Sequence, residues 1–212
     1  MLRIRITYKK SGDIIYTSNL DLQKIWERAC RRAELSIAYT LGFHPQARIQ
    51  QAAPLPLGFL SSTEIVDIWL DEISEPSDLK ERINLALPNG LEVFRIEKID
   101  LKDPALQNRI NSSVYQAKLP SGTSKDAIEQ KIRNLLRANE LVIIKRGKTI
   151  NLRERIESID LVENGSSEQL LLVMRLTQRP GLTGRPDDIL NVMGIDPFLT
   201  QIERINLIIS QG

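Results

Sequence analysis

An α+β fold built twice from one β-α-β-β-α-β order is predicted by three observations on this 212-residue sequence. Period-2 apolar series mark strands, 3.6-period series mark helices, and the order in which they alternate over the first hundred residues returns over the rest. Composition agrees with it. The chain is 42% hydrophobic and 26% charged, which is globular usage, and roughly 60–70% of the unfolded surface becomes buried at this size.

Leu2, Ile4, Ile6 and Tyr8 alternate with Arg3, Arg5 and Thr7, predicting a strand with one wet face. Ser11-Gly12-Asp13 turns the chain and Ile14-Ile15-Tyr16 extends it again. Ser18 or Asn19 then caps a helix whose inner side carries Leu22, Ile25, Trp26, Ala29, Cys30 and Ala33. Its opposite face collects Lys24, Arg28, Arg31 and Arg32, diluted by Glu27. Extended segments at 36–40 and 47–53 flank the turn Gly42-Phe43-His44-Pro45, and the prolines of Pro54-Leu55-Pro56-Leu57-Gly58 mark a loop or an edge. A strand runs from Thr63 to Leu70. Pro76-Ser77-Asp78 starts a helix with Leu79, Ile83, Leu85 and Leu87 inside, Pro88-Asn89-Gly90 stops it, and Leu91 to Ile99 is a strand.

The second half repeats the order. Val114 to Leu119 is a strand, Ser124 to Ala138 a helix with Ile128, Ile132, Leu135 and Leu136 inward, and Leu141 to Lys145 a strand. Extended or irregular chain covers Thr149 to Leu161, followed by a strand Gln169 to Leu176, a short helix Pro186 to Met193 and a last strand Arg204 to Ile209. Two βαββαβ units in tandem predict a duplication of ferredoxin-like halves with antiparallel sheets, residues 1–103 and 104–212, joined by a polar linker from Asp100 to about Ser113.

One His and one Cys exclude whole classes of chemistry. A structural zinc needs about four Cys or His ligands and an iron-sulfur cluster several Cys, so neither a metal nor a cofactor is expected of this chain. Cys30 has no partner for an internal disulfide and falls on the apolar side of its helix, as a plain buried thiol. No apolar run approaches the roughly 18 residues of a spanning helix, and the alternating start of the chain is unlike a secretory leader. The expectation is a cytoplasmic protein with no membrane partner, in which the sequons at Asn111 and Asn164 carry no glycan.

The formal net charge of +2 conceals a segregation. Residues 1–60 hold nine Lys/Arg against four acids, a net of +5, and residues 61–110 hold six against eleven, a net of −5. Residues 111–162 hold ten against six and the remainder four against six, giving +4 and −2. Each basic block opens a predicted unit. The positive surface is read in three groups: Arg3 with Arg5, the helix stripe Lys24-Arg28-Arg31-Arg32, and Lys145-Arg146-Lys148-Arg153-Arg155. Such clusters attract phosphate backbones through counter-ion release, or are simply solvated faces. An aromatic-rich strand of the common RNA-recognition kind is absent.

His44, in a turn, is accessible as a general acid or base, although no partner carboxylate is identifiable nearby in sequence. Asp13 and Asp21 bracket the first loop, where a cap or a first-turn charge is the plain reading. Arg179-Pro180-Gly181-Leu182-Thr183-Gly184-Arg185-Pro186 resembles a phosphate cradle opening a helix, but Asp187 and Asp188 already supply the negative charge there, leaving backbone or RNA contact through Arg179 and Arg185.

The runs Lys9 to Leu22, Arg28-Ala29 through Arg32-Ala33, Ala38-Tyr39-Thr40-Leu41-Gly42-Phe43-His44-Pro45, Pro54-Leu55-Pro56-Leu57-Gly58 and Thr149-Ile150-Asn151-Leu152-Arg153, with Ile156, resemble the radical SAM-linked protein family. That is a domain of unknown function, fused behind or encoded beside cobalamin-binding radical SAM proteins and sometimes beside ribonuclease E/G. Its pattern has His where this chain has Asn19, and Asn-Pro-His-Pro where it has His44-Pro45-Gln46-Ala47, so two histidines of the pattern are missing at their places and His44 stands two positions before one of them. The resemblance implies a companion to a radical SAM protein, acting in trans or as a fused domain, on RNA; the [4Fe-4S] cluster and S-adenosylmethionine would belong to that partner.

The expected function is thus a non-catalytic accessory domain that binds RNA or presents it to a radical SAM enzyme. Lys24, Arg28, Arg31, Arg32, Arg48 and Arg153 are its expected phosphate contacts, and Gly42, Phe43, His44, Pro45 and Gly58 shape its surface loops. One alternative is an RNA-processing or RNA-modifying enzyme with His44 or Asp13 as acid/base, which rests on fold analogy. Another is a pure protein-interaction domain whose basic face docks on an acidic partner.

Overall fold

The computed structural model describes residues 1–71, 76–163 and 169–210; the sequon at Asn164 lies outside them. Among the described residues it is a mixed α+β chain with four α-helices and mostly antiparallel strand pairing, in two units, Met1–Ile110 and Asn111–Ser210. No helix among the described residues is long and apolar enough to cross a membrane.

The first unit runs β1 (Leu2–Lys10), α1 (Asn19–Arg32), β2 (Ile49–Gln51), β3 (Leu60–Leu70), α2 (Pro76–Ala86) and β4 (Leu91–Ile99). Its strands lie in the order β2-β3-β1-β4. One sheet face carries Ile4, Ile6, Val66, Ile68 and Val93, and packs on Leu22, Trp26 and Cys30 of α1 and Leu79 and Ile83 of α2. Tyr8 meets Trp26 edge to face, with ring centroids 4.9 Å apart, a geometry that adds about 0.5–1.5 kcal/mol to the area buried. Ser18 is the cap of α1: its hydroxyl accepts from the Asp21 N–H at 3.2 Å and donates to the Asp21 carboxylate at 2.7 Å.

The opposite face of β1 is not wet, which corrects the reading of Arg3 and Arg5 as surface cations. They are 1% and 7% exposed, and Asp67 on β3 is fully buried between them. Its carboxylate accepts from Arg3 at 3.0 and 2.7 Å and from Arg5 at 2.8 and 2.9 Å. Arg3 also donates to the carbonyls of Asp103 at 2.7 Å and Pro104 at 3.0 Å, so the chain after β4 closes over it. Burial of the two guanidinium groups is tolerable only because a charge and fixed carbonyls meet them there. Trp69 completes the face, with the guanidinium carbons of Arg3 and Arg48 at 4.9 and 4.8 Å from its ring.

Two local expectations also change. Gly12–Tyr16 is a 3-10 turn, not an extension, closed by the Thr17 N–H on the Ile14 carbonyl at 3.0 Å. The Ser11 N–H donates to the Gly90 carbonyl at 2.8 Å. Gly90 has φ +92°, and a Cβ there would lie 2.2 Å from the Ser11 oxygen, so only glycine fits. The segments expected to extend over 36–40 and 47–53 keep only the bridges Ile37–Leu70 and Tyr39–Ala47 and the three residues of β2.

The second unit runs β5 (Ile110–Lys118), α3 (Lys125–Arg137), β6 (Val142–Lys145), β7 (Lys148–Asn151), β8 (Ile156–Glu163), β9 (Leu170–Arg179), β10 (Leu182–Thr183), α4 (Pro186–Val192) and β11 (Gln201–Ile209). β9 pairs with β5, β8 and β10, and β11 flanks β5 on its other side. Tyr115 and Ala117 oppose Met174 and Leu172 on one face, and all four are buried, as are Ile128, Ile132 and Leu135 of α3. β6 and β7 form a separate hairpin whose two turn residues, Arg146 and Gly147, have φ of +50° and +73°, as a tight hairpin turn requires. β5 begins four residues earlier than expected. The linker is correspondingly short, and Leu106, inside it, is fully buried.

Candidate nucleic-acid interface

The outer stripe of α1 presents Lys24, Arg28 and Arg31 to solvent. Lys24 lies 3.6 Å from Asp21 and Arg31 3.3 Å from Glu27. Exposed pairs of this kind contribute only about 0.3–0.5 kcal/mol, so both cations can turn to a polyanion at small cost. Arg28 has no side-chain partner among the described residues. Arg32 is differently used: its guanidinium donates to the Ala86 carbonyl at the end of α2. Arg82 of α2 returns the contact, donating to the carbonyls of Ala33 at 2.6 Å and Glu34 at 3.1 Å. Each helix thus receives an arginine from the other where its carbonyls lack intrahelical partners and its dipole is negative.

A loop stands against this stripe. The Tyr39 hydroxyl donates to Glu27 at 2.9 Å, and this bond to a carboxylate raises the Tyr39 pKa above its ordinary value. The base of the loop is closed by the Thr40 N–H on the Gln46 carbonyl and the Gln46 N–H on the Thr40 hydroxyl, both at 2.9 Å. Between them Gly42 takes φ +126°, a conformation side chains disfavour. Leu41 and Phe43 project fully, each 102% exposed, and His44 and Pro45 are exposed beside them. His44 has no side-chain partner among the described residues.

The remaining sequence candidates fall elsewhere. Gly58 lies on its own loop, donating its N–H to the Ile15 carbonyl at 3.1 Å, next to the exposed Tyr16. Arg48 is stacked on Trp69, with Nη1 3.1 Å from the Met1 sulfur. Arg153, in the second unit, donates to the Ile156 carbonyl at 3.2 Å. Asp13 is exposed in the 3-10 turn, and no hydrogen bond among the described residues joins it to His44. Asp21 is a first-turn acid whose pKa is lowered, chiefly by its bond to Ser18.

In the second unit the third basic group divides. Lys145 pairs with Asp188, and Arg155 donates to the Thr183 carbonyl, whereas Arg146 and Lys148 are exposed at the hairpin tip. Arg185 is bound to Asp187 at 2.8 Å, while Arg179 stays exposed. Among the described residues no group of three or more His, Cys, Asp or Glu is placed to hold a metal ion. Burial pushes the Cys30 thiol up to about 12, leaving it protonated and inert at neutral pH.

Sequence reading did not find Tyr39, Glu27, Asp67 or Trp69 as determinants. Tyr39 and Glu27 are 12 residues apart and nothing in either local pattern announces the bond between them. A bacterial family described as "Uncharacterized protein conserved in bacteria (DUF2344)" matches residues 3–185, most of the chain. Among curated proteins there is no match.

Proposed function

The chain belongs to that bacterial family, and on this premise we propose that it is an accessory protein that binds single-stranded RNA and presents it to a radical SAM enzyme. The observation that carries the reading is the Tyr39–Glu27 hydrogen bond, which holds a loop with a fully exposed Phe43 against the cationic stripe of α1. Proteins that bind single strands combine such a cationic track with an aromatic ring on which a base stacks. The radical SAM partner follows from the motif resemblance of Ala38 to Pro45 and Pro54 to Gly58.

We read the two units as ferredoxin-like halves. Support comes from strand order: β2-β3-β1-β4 in the first unit corresponds to β8-β9-β5-β11 in the second, with the first strand of each unit central. In this reading the helices cover one sheet face, and α1 turns its outer stripe to the ligand.

Fluorescence anisotropy of a labelled single-stranded RNA tests the proposal. Three phosphate contacts, from Lys24, Arg28 and Arg31, give a salt slope of about −2, so affinity falls roughly 20-fold between about 50 and 200 mM salt. Absence of binding at the lower salt overturns it.

A further inference from the structure

We infer that a cleft at the head of α1 is a site for one nucleobase. The opening, about 290 Å³, lies between the first turns of α1, strand β2, Pro54 and Gln107. Five carboxamides line it: Asn19, Gln23, Gln50, Gln51 and Gln107. Four of the chain's eleven glutamines therefore meet at one place. Among the described residues no charged side chain lines it, in a chain that is 26% charged.

That lining selects a ligand class. A phosphate or carboxylate would find no counter-charge, and a hydrocarbon would leave the carboxamides without partners. A carboxamide offers a donor and an acceptor side by side, the arrangement with which Asn and Gln read the edge of a base. Leu20, Ile49 and Pro54 supply apolar surface for the ring faces. Gln50 is already oriented, because its Oε1 accepts the Leu106 N–H at 3.0 Å and its NH2 group is left to donate. Gln23 and Gln51 are half-buried and have no side-chain partner among the described residues, and neither carboxamide is among the buried unpaired polar groups, so both stand open to a ligand in the cleft. The volume stands at the small end of the roughly 300–1,000 Å³ of ligand pockets, which suits one base and not a dinucleotide.

The cleft is continuous with the cationic stripe. Leu20, Lys24 and Arg28 follow at four-residue steps on one side of α1, so a strand whose phosphates track the two cations reaches the cleft with a single base. This inference rests on the RNA-binding reading, and the experiment separates the two.

The full chain, labelled with ¹⁵N, is titrated with adenosine, guanosine, cytidine and uridine while the side-chain NH2 signals are followed. The expected result is a saturable shift of the Gln23 and Gln51 carboxamides with at least one nucleoside. In parallel, short oligomers of each base are compared by anisotropy, the preferred one binding about fivefold or more tightly than the poorest. Q23L/Q51L is expected to abolish the preference while keeping the salt slope, and the nucleoside titration needs no variant. Carboxamide shifts without oligomer binding at low salt would sustain the base site and sink the RNA reading. Salt-dependent oligomer binding with no base preference and no shift from any nucleoside would overturn the base site alone.

Discussion

Arg5 of β1 lies directly across the ladder from Asp67 of β3, and both side chains are buried. The bond to Asp67 is the largest influence on the Arg5 guanidinium and raises its pKa. D67N keeps the shape and removes the charge, leaving two buried guanidinium groups without the carboxylate they share. We expect a loss of about 3–5 kcal/mol in urea unfolding. Replacing Arg3, Arg5 and Asp67 together by apolar residues of similar volume is expected to recover most of it; a midpoint for D67N equal to wild type contradicts this account.

Phe43 is fully exposed and holds nothing together. F43A should therefore leave thermal stability within about 0.5 kcal/mol of wild type. If the ring stacks on a base, the same variant loses about 1–3 kcal/mol of RNA affinity. Equal affinities for the two proteins would remove Phe43 from the interface.

Arg28 and Arg32 are four residues apart, about one turn of α1, and are predicted to fail differently. R28Q removes an exposed cation that has no side-chain partner among the described residues, lowering the salt slope of RNA binding by about 0.7 without affecting stability. R32Q removes the hydrogen bond to the Ala86 carbonyl and so lowers stability, by about 0.5–1.5 kcal/mol. Identical behaviour of the two in both assays would refute the division of roles.

Cys30 gives a pH signature. Its folded-state pKa is raised from an ordinary 9.0 to about 12 because the buried site disfavours the thiolate. The contribution is thus complete below pH 9 and is lost as pH climbs toward 12, by roughly 4 kcal/mol over the three units. Subtracting the pH profile of C30A from that of wild type isolates it. A thiol reagent at pH 8 should label the native protein only as fast as it opens; labelling at the rate of a free thiol would show that the site is not buried.

Much of the first unit was legible because its signals are local. The 3.6-residue spacing of Leu22, Trp26, Ala29 and Cys30 and the Ser18 cap place α1 within a residue of its observed bounds. Alternation in Leu2 to Tyr8 located β1, yet the same alternation misassigned Arg3 and Arg5 to water. Their partner is 62 to 64 residues away, and a period-2 pattern carries no information on what covers the polar side. The basic stripe was readable for the same reason as the helix. The carboxamide cleft was not, because Asn19, Gln50 and Gln107 come from three separate parts of the chain and amides have no periodic signature.

Arg3 reaches the carbonyls of Asp103 and Pro104, and Arg3 also lies opposite Ile99 in the ladder. The first unit is therefore a ring closed by hydrogen bonds. A covalent link closing about 100 residues would restrict the unfolded chain by about 4.7 kcal/mol; here closure is left to the folded state alone. Since the two ends of the ring already touch, the order in which its strands occur along the chain is separable from their order in the sheet. Joined by a short bridge from residue 104 to residue 2 and reopened within the exposed 41–45 loop, the same strands can be strung in a permuted sequence and still meet the same neighbours.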